Sequence, residues 1–167
     1  MLTDLVQIRR LGEQKRADNE RFRKHLKRHR FAERRFRRIA QEIEERIDCT
    51  ECANCCRVAT VRLANRDVEK LSKFFRIRPA QFIDDYTEQS EDEGLILKRT
   101  DREGCIFLDS NICAVYEARP HICENFPHLV RGDGSLESRM WDFKDRACYC
   151  PIVYNTLEEF KTELKFS

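Results

Sequence analysis

Cys49-Thr50-Glu51-Cys52-Ala53-Asn54-Cys55-Cys56 places four thiols within eight residues, and five more cysteines follow at Cys105, Cys113, Cys123, Cys148 and Cys150. Thiolates two residues apart in a C-x-x-C turn can face one coordination sphere while backbone N–H groups lean on the sulfurs. Successive steps of this kind make a chelating loop, so a metal is the expected occupant. Disulfides fit less well. Nine thiols are an odd number, the start Met1-Leu-Thr-Asp-Leu-Val-Gln-Ile8 lacks the apolar run of a secretory signal, and adjacent cysteines bridge only with backbone strain. An isolated Cys105 or Cys113 can serve as a small buried apolar residue. Four in eight cannot be explained that way.

Working outward, 167 residues allow one compact domain with an extension. Apolar residues are 41%, charged residues 37% and the mean hydropathy is −0.69, so the core is modest and a metal joining distant segments would add stability. The net charge of +2 conceals an asymmetry: residues 1–48 hold 15 Lys+Arg against 9 Asp+Glu, a net +6, and residues 49–167 are net −4. No apolar run is long enough to span a bilayer. The expected setting is the cytoplasm, where reducing conditions keep thiols available as ligands. The expected organisation is a basic helical extension over 1–48 and a cysteine-cluster domain over 49–167, in an α+β fold.

In the extension, Leu5 and Ile8, then Phe22, Leu26, Phe36, Ile39, Ile43 and Ile47, recur at helical spacing, with Gly12 or Asp18-Asn19 as candidate breaks. Between Arg21 and Arg38 ten Lys+Arg face one acid, Glu33, with Phe22, Phe31 and Phe36 interleaved. Such a face can hold phosphate backbones, but it lacks a docking motif, and the favoured reading packs the apolar stripe on the cysteine domain or on a second copy. His25 and His29 are expected to stay in water. Further on, Val58–Leu63 alternates like a strand, Asn65 is a candidate N-cap, and Pro79 opens a helix. The acidic run Glu88–Glu93 reads as a surface loop. Leu95–Leu97 and Cys105–Leu108 read as a hairpin turning through Asp101–Gly104, and Thr156–Glu159 has the form of a capping box for a last helix. Trp141 and Phe143 are expected in the core.

Four blocks together resemble a known family. Cys49-x-x-Cys52-x-x-Cys55-Cys56-Arg57, Gly104-Cys105-Ile-Phe-Leu108, Cys113-Ala-Val-Tyr116-Glu-Ala-Arg119-Pro120-His-Ile-Cys123-Glu-Asn-Phe126-Pro127 and a terminal Cys-Pro are similar to the CxxCxxCC, or YkgJ-like, cysteine-cluster family. That resemblance implies a domain chelating zinc or iron. A related domain occurs in flagellin lysine N-methylases, where an iron–sulfur cluster is implicated, so a redox or methyl-transfer role is an alternative resting on analogy. The resemblance carries the ligand set Cys49, Cys52, Cys55, Cys56, Cys105, Cys113 and Cys123. It adds a last cysteine, taken as Cys150 with Cys148 as the alternative. The basic 48 residues have no counterpart in the family pattern, and a zinc-stabilised nucleic-acid module using Arg21–Arg38 is a third reading.

Eight thiolates exceed one tetrahedral ion, which leaves two four-thiol sites or one polynuclear centre. Adjacent side chains diverge, so Cys55 and Cys56 are expected to serve different metals or opposite sides of one cluster. The C-x-x-C-x-x-C run favours iron, for instance as a [4Fe-4S] cluster, over zinc. Arg119 can donate to cluster sulfurs or hold an anionic ligand, or form a surface or packing salt bridge, and for Arg57 a salt bridge is the favoured reading, with an offset of thiolate charge as the alternative. Tyr116, Phe126 and Pro127 are expected to pack around the centre, and His121 and His128 are minor ligand candidates. No Gly-rich phosphate loop or nucleophile elbow is present, so nothing in the residues themselves points to conventional catalysis.

Overall fold

The computed structural model describes every residue except Arg30, Ala32, Arg102 and Glu103. Its helices are α1 (Leu5–Gln14), α2 (Arg16–Arg28), α3 (Glu33–Glu44), α4 (Cys49–Cys52), α5 (Asn54–Val58), α6 (Asn65–Phe75), α7 (Pro79–Tyr86), α8 (His121–Glu124), α9 (Leu136–Arg139), α10 (Phe143–Arg146) and α11 (Pro151–Glu163). Short strands β1 (Thr87–Ser90), β2 (Gly94–Leu97), β3 (Arg99–Thr100), β4 (Gly104–Cys105), β5 (Leu108–Asp109) and β6 (Ile112–Cys113) pair antiparallel as β1-β2, β3-β4 and β5-β6. The fold is α+β. No helix among the described residues is long and apolar enough to cross a membrane.

Contacts divide the chain into two units, one joining Met1–Asp48 to Phe126–Ser167 and the other running Cys49–Asn125. The grouping differs from the sequence reading, in which 49–167 formed one body. The reason is the apolar stripe of the extension. Ile8, Phe22, Leu26, Phe36, Ile39 and Ile43 are buried with Phe143, Ile152, Val153, Leu157 and Phe160 in one core. Phe160 meets Phe22 and Phe36 edge-on at 5.9 and 5.2 Å, and Phe36 stacks on Phe143 at 6.0 Å. Fully burying each such ring is worth about 2 kcal/mol, so the stripe commits to α11.

Within this unit Asp4 caps α1 by accepting the Gln7 N–H at 2.8 Å, and the first helix ends at Lys15 rather than at Gly12 or Asp18-Asn19. Gly12 has a different task. A Cβ there would lie 2.6 Å from both the Ala147 oxygen and the Cys148 Cα, so only glycine lets α1 approach that backbone. The last helix begins at Pro151, where a missing N–H costs nothing, and Thr156 sits fully buried in its middle instead of capping it. Trp141 is 56% exposed, with the Arg23 guanidinium and the Lys144 ammonium each 4.7 Å from its ring, whereas Phe143 is buried as expected.

Much of the positive charge between Arg21 and Arg38 has acidic partners. Arg21 pairs with Asp18 at 2.6 Å, Arg23 with Glu20 at 2.7 Å, Arg37 with Glu33 at 3.5 Å, and Arg35 and Arg38 with Glu163 at 3.7 and 3.6 Å. Arg30 lies outside the described residues. The His25 and His29 rings meet at 4.4 Å, tilted by 37°, with Phe166 against His25.

The second unit is centred on Phe75, Phe82, Tyr86 and Phe107, whose rings contact one another at 5.0 to 6.5 Å. Val68 and Leu71 of α6 and Leu97 of β2 pack with them. Helix α6 starts at Asn65, with Ala64 as its cap residue, and Asp67 supplies the carboxylate that accepts the Ala64 N–H at 2.9 Å. Glu88–Glu93 is not simply a loop: Glu88 pairs with Ile96 and Gln89 with Leu95 in the β1-β2 ladder. Leu95–Leu97 therefore takes β1 as its partner, and the expected hairpin to Cys105 shrinks to Arg99↔Cys105 and Thr100↔Gly104. Arg102 and Glu103 of its turn lie outside the described residues. Val58 closes α5, and the segment after it touches β2 through the single bridge Arg62↔Ile96, flanked by Leu63 N–H to Leu95 O and Leu97 N–H to Val61 O, both 2.9 Å.

Candidate metal centre

Seven of the nine cysteines lie in the second unit, on separately folded elements. Helix α4 carries Cys49 and Cys52, and a left-handed Ala53 (φ 45°, buried) turns the chain into α5 with Cys55 and Cys56. Cys105 comes on β4, Cys113 on β6 and Cys123 on α8.

The α4–α5 loop is held by its backbone. Arg57 donates to the Cys52 carbonyl at 3.1 Å, to the Ser110 carbonyl at 2.6 Å and to the Asn111 side-chain oxygen. Asn111 in turn donates to the Glu51 carbonyl at 2.9 Å. From the other side Arg99 donates to the carbonyls of Ala59 and of Arg57, the latter at 2.6 Å. Gly104 (φ +91°) allows β4 to lie against this turn, since a Cβ would stand 2.5 Å from the Cys56 oxygen and 2.6 Å from the Arg57 Cα. Arg57 thus acts chiefly as a clamp on carbonyls, where the favoured sequence reading is a salt bridge.

The Cys123 segment is positioned by α6. Buried Asp67 accepts the His121 N–H at 2.9 Å with its second oxygen, and Lys70 donates to the Arg119 carbonyl at 3.0 Å and pairs with Glu124. Sequence reading missed Asp67 and Lys70. The signal available was an acid in the first turn of α6, which ordinarily reads as a cap and nothing more. Arg119 lies 3.7 Å over the Tyr116 ring and donates to the Tyr116 carbonyl at 3.1 Å, and Tyr116 itself is 46% exposed.

Electrostatics tie four thiols together. A hydrogen bond from Cys55 pushes Cys56 down to about 7 against the opposing effect of burial, with Arg57 and Arg119 helping. Burial pushes Cys105 up, and Cys56 and Cys113 add to it. Cys113 is raised by burial and by Cys56. Burial also drives Cys123 far up, reinforced by Cys105, Cys56 and Cys113 and opposed by Arg119. The backbone N–H groups of Phe107 and Val115 donate to the sulfurs of Cys105 and Cys113, two residues before them, an arrangement that orients a thiolate toward a cation. Among the described residues no three His, Cys, Asp or Glu side chains stand close enough to enclose an ion as they lie.

Cys148 and Cys150 belong to the other unit. The Cys148 sulfur lies 3.6 Å from an Arg16 nitrogen and 3.4 Å from the Lys144 carbonyl, and burial raises its proton affinity. Cys150 is buried in that unit's core, immediately before α11. Phe126 and Pro127 also fall in that unit, where Phe126 stacks on Tyr149 at 6.2 Å. The His121 ring faces Asn125 at 3.0 Å and Glu124 at 3.9 Å.

Compared with known families, residues 48–151 match the model of the CxxCxxCC family, described as a "putative zinc- or iron-chelating domain". No curated protein and no solved structure matches the chain.

Proposed function

Because the chain belongs to the CxxCxxCC family, we propose that it binds zinc or iron through thiolates, with Cys56, Cys105, Cys113 and Cys123 as the central ligand set. The observation that supports this reading is the delivery of four thiols by α5, β4, β6 and α8 within one unit, with Gly104 of β4 packed directly on the Cys56–Arg57 backbone and Cys113 paired to Leu108. Without a cation, burial disfavours the thiolate at three of them. A divalent ion reverses that balance, because ligating thiols lose their protons on binding. The donor set fits either metal: thiolates are ligands of tetrahedral zinc and of iron–sulfur clusters alike. Arg57 and Arg119, which already favour the Cys56 thiolate, would balance the residual negative charge of four sulfurs around one divalent ion.

The bound metal would supply a cross-link between segments that are far apart in sequence. Iron as a cluster is the form favoured by the C-x-x-C-x-x-C spacing of Cys49, Cys52 and Cys55, thiols that would join the set in that case, and zinc is the alternative. Elemental analysis with an absorption spectrum, on protein purified without oxygen and without an affinity metal, separates them. Iron with acid-labile sulfide supports a cluster, colourless zinc protein supports a closed site, and protein with neither metal contradicts the proposal.

A further inference from the structure

The core of the first unit takes up the apolar stripe of α2 and α3 and leaves the cations between Arg21 and Arg38 outside it. Along α2, Arg21, Lys24 and Arg28 recur at i, i+3 and i+7 on the side away from buried Phe22 and Leu26. Along α3, Arg34 and Arg38 lie opposite buried Phe36 and Ile43. All five cations are exposed. From this face we propose that the first unit docks the phosphate backbone of a nucleic-acid duplex without reading its sequence.

Ion pairing leaves the face positive. Its nine described Lys and Arg share five carboxylates, those of Asp18, Glu20, Glu33, Glu137 and Glu163. Glu20 and Asp18 also serve Lys144 and Lys161. Arg35 and Arg38 both turn to Glu163, and Arg28 and Arg34 have no acidic partner among the described residues. The pairs are also weak, because Arg21, Lys27, Arg35 and Arg38 are 63 to 64% exposed, so a phosphate can replace a carboxylate at little cost. The two helices present this charge around one point. Phe160 of α11 touches Phe22 of α2 and Phe36 of α3. Just beyond it, the Arg21 guanidinium lies 5.7 Å from the Phe166 ring, while Arg35 and Arg38 reach Glu163, three residues earlier in the chain. Cations of both helices therefore flank the same end of α11. Chemistry then selects the partner. Seven of the nine are arginines, whose forked donors match phosphate oxygens. None of the exposed large apolar side chains lies on α2 or α3, so the face offers a bilayer nothing to insert.

The test titrates the full chain, as purified, into a fluorescein-labelled duplex of random sequence and follows anisotropy at about 50 and about 200 mM salt. The excess of nine cations over five carboxylates corresponds to about four neutralised phosphates, for which affinity should fall about a hundred-fold across that range. The double variant Arg28→Ala/Arg34→Ala removes two exposed charges that hold nothing in the fold. It should lower the slope of log affinity against log salt by about two, with circular dichroism and metal content unchanged. No binding at the lower salt, binding indifferent to salt, or an unchanged slope in the folded double variant overturns the proposal. Anionic vesicles run in parallel give the other arm, and capture by vesicles with none by the duplex overturns it in favour of a lipid surface.

Discussion

At Gly104 one hydrogen atom in place of a methyl group decides whether β4 can lie on the cysteine loop. Its φ of +91° already disfavours other residues, and a Cβ would meet the Cys56 oxygen and Arg57 Cα at 2.5 and 2.6 Å. Gly104→Ala should cost about 3 kcal/mol in denaturant unfolding and lower metal content in parallel, because Cys105 and Cys56 move apart together. Glu20 is the corresponding point in the first unit. Arg23, Lys24 and Lys144 surround its carboxylate, and the Arg23 hydrogen bond above all holds it down to about 2 from an ordinary 4.5. The protonated unfolded carboxyl therefore sets the window. The contribution is complete above pH 4.5 and is lost as pH falls toward 2. In thermal melts, Glu20→Gln should be less stable than wild type by about 1 kcal/mol at neutral pH, with the difference vanishing across that acid range.

Among elements, α6 acts on the proposed site without supplying a ligand. Asp67 accepts from Ala64 and from His121, tying the helix start to the turn that carries Cys123. Asp67→Ala should cost about 3 kcal/mol and speed alkylation of Cys123 in metal-free protein. Asp67→Asn, which keeps an acceptor, should restore part of both. Equal alkylation rates in all three proteins would deny Asp67 its positioning role. This tether illustrates what was legible in the sequence. The C-x-x-C steps and the start of α7 at Pro79 depend on neighbours within a few residues, so local spacing reveals them. The partner of Leu95–Leu97 was not legible: Glu88 and Gln89 look like loop residues, and their strand conformation comes from the Ile96 and Leu95 backbone opposite. Helix α11 was misplaced for the reverse reason, since a Thr-x-x-Glu pattern reads as a start even where Pro151 has already supplied one.

For the whole molecule, periodicity announced that the first 48 residues needed an apolar partner, but could not say which. The stripe is matched by Phe143, Val153, Leu157 and Phe160, residues at least a hundred positions away. Likewise the cysteine motifs named candidate ligands without grouping them, because which of α5, β4, β6 and α8 lie near one another is settled by tertiary structure and not by local spacing. The two units differ in what supports them. The first has a continuous apolar core, while the second has a smaller aromatic cluster and the thiols. Metal removal should therefore act unevenly. Hydrogen exchange on chelated protein should show protection falling over residues 49–125 and persisting in α3 and α11, whereas uniform loss would mean that the metal supports both units alike. The central claim concerns which atoms surround the ion, and X-ray absorption at the zinc and iron edges of the purified protein reads them directly. A stoichiometric metal with a sulfur-only first shell is the predicted result. A shell dominated by nitrogen or oxygen, or no bound metal, would contradict it.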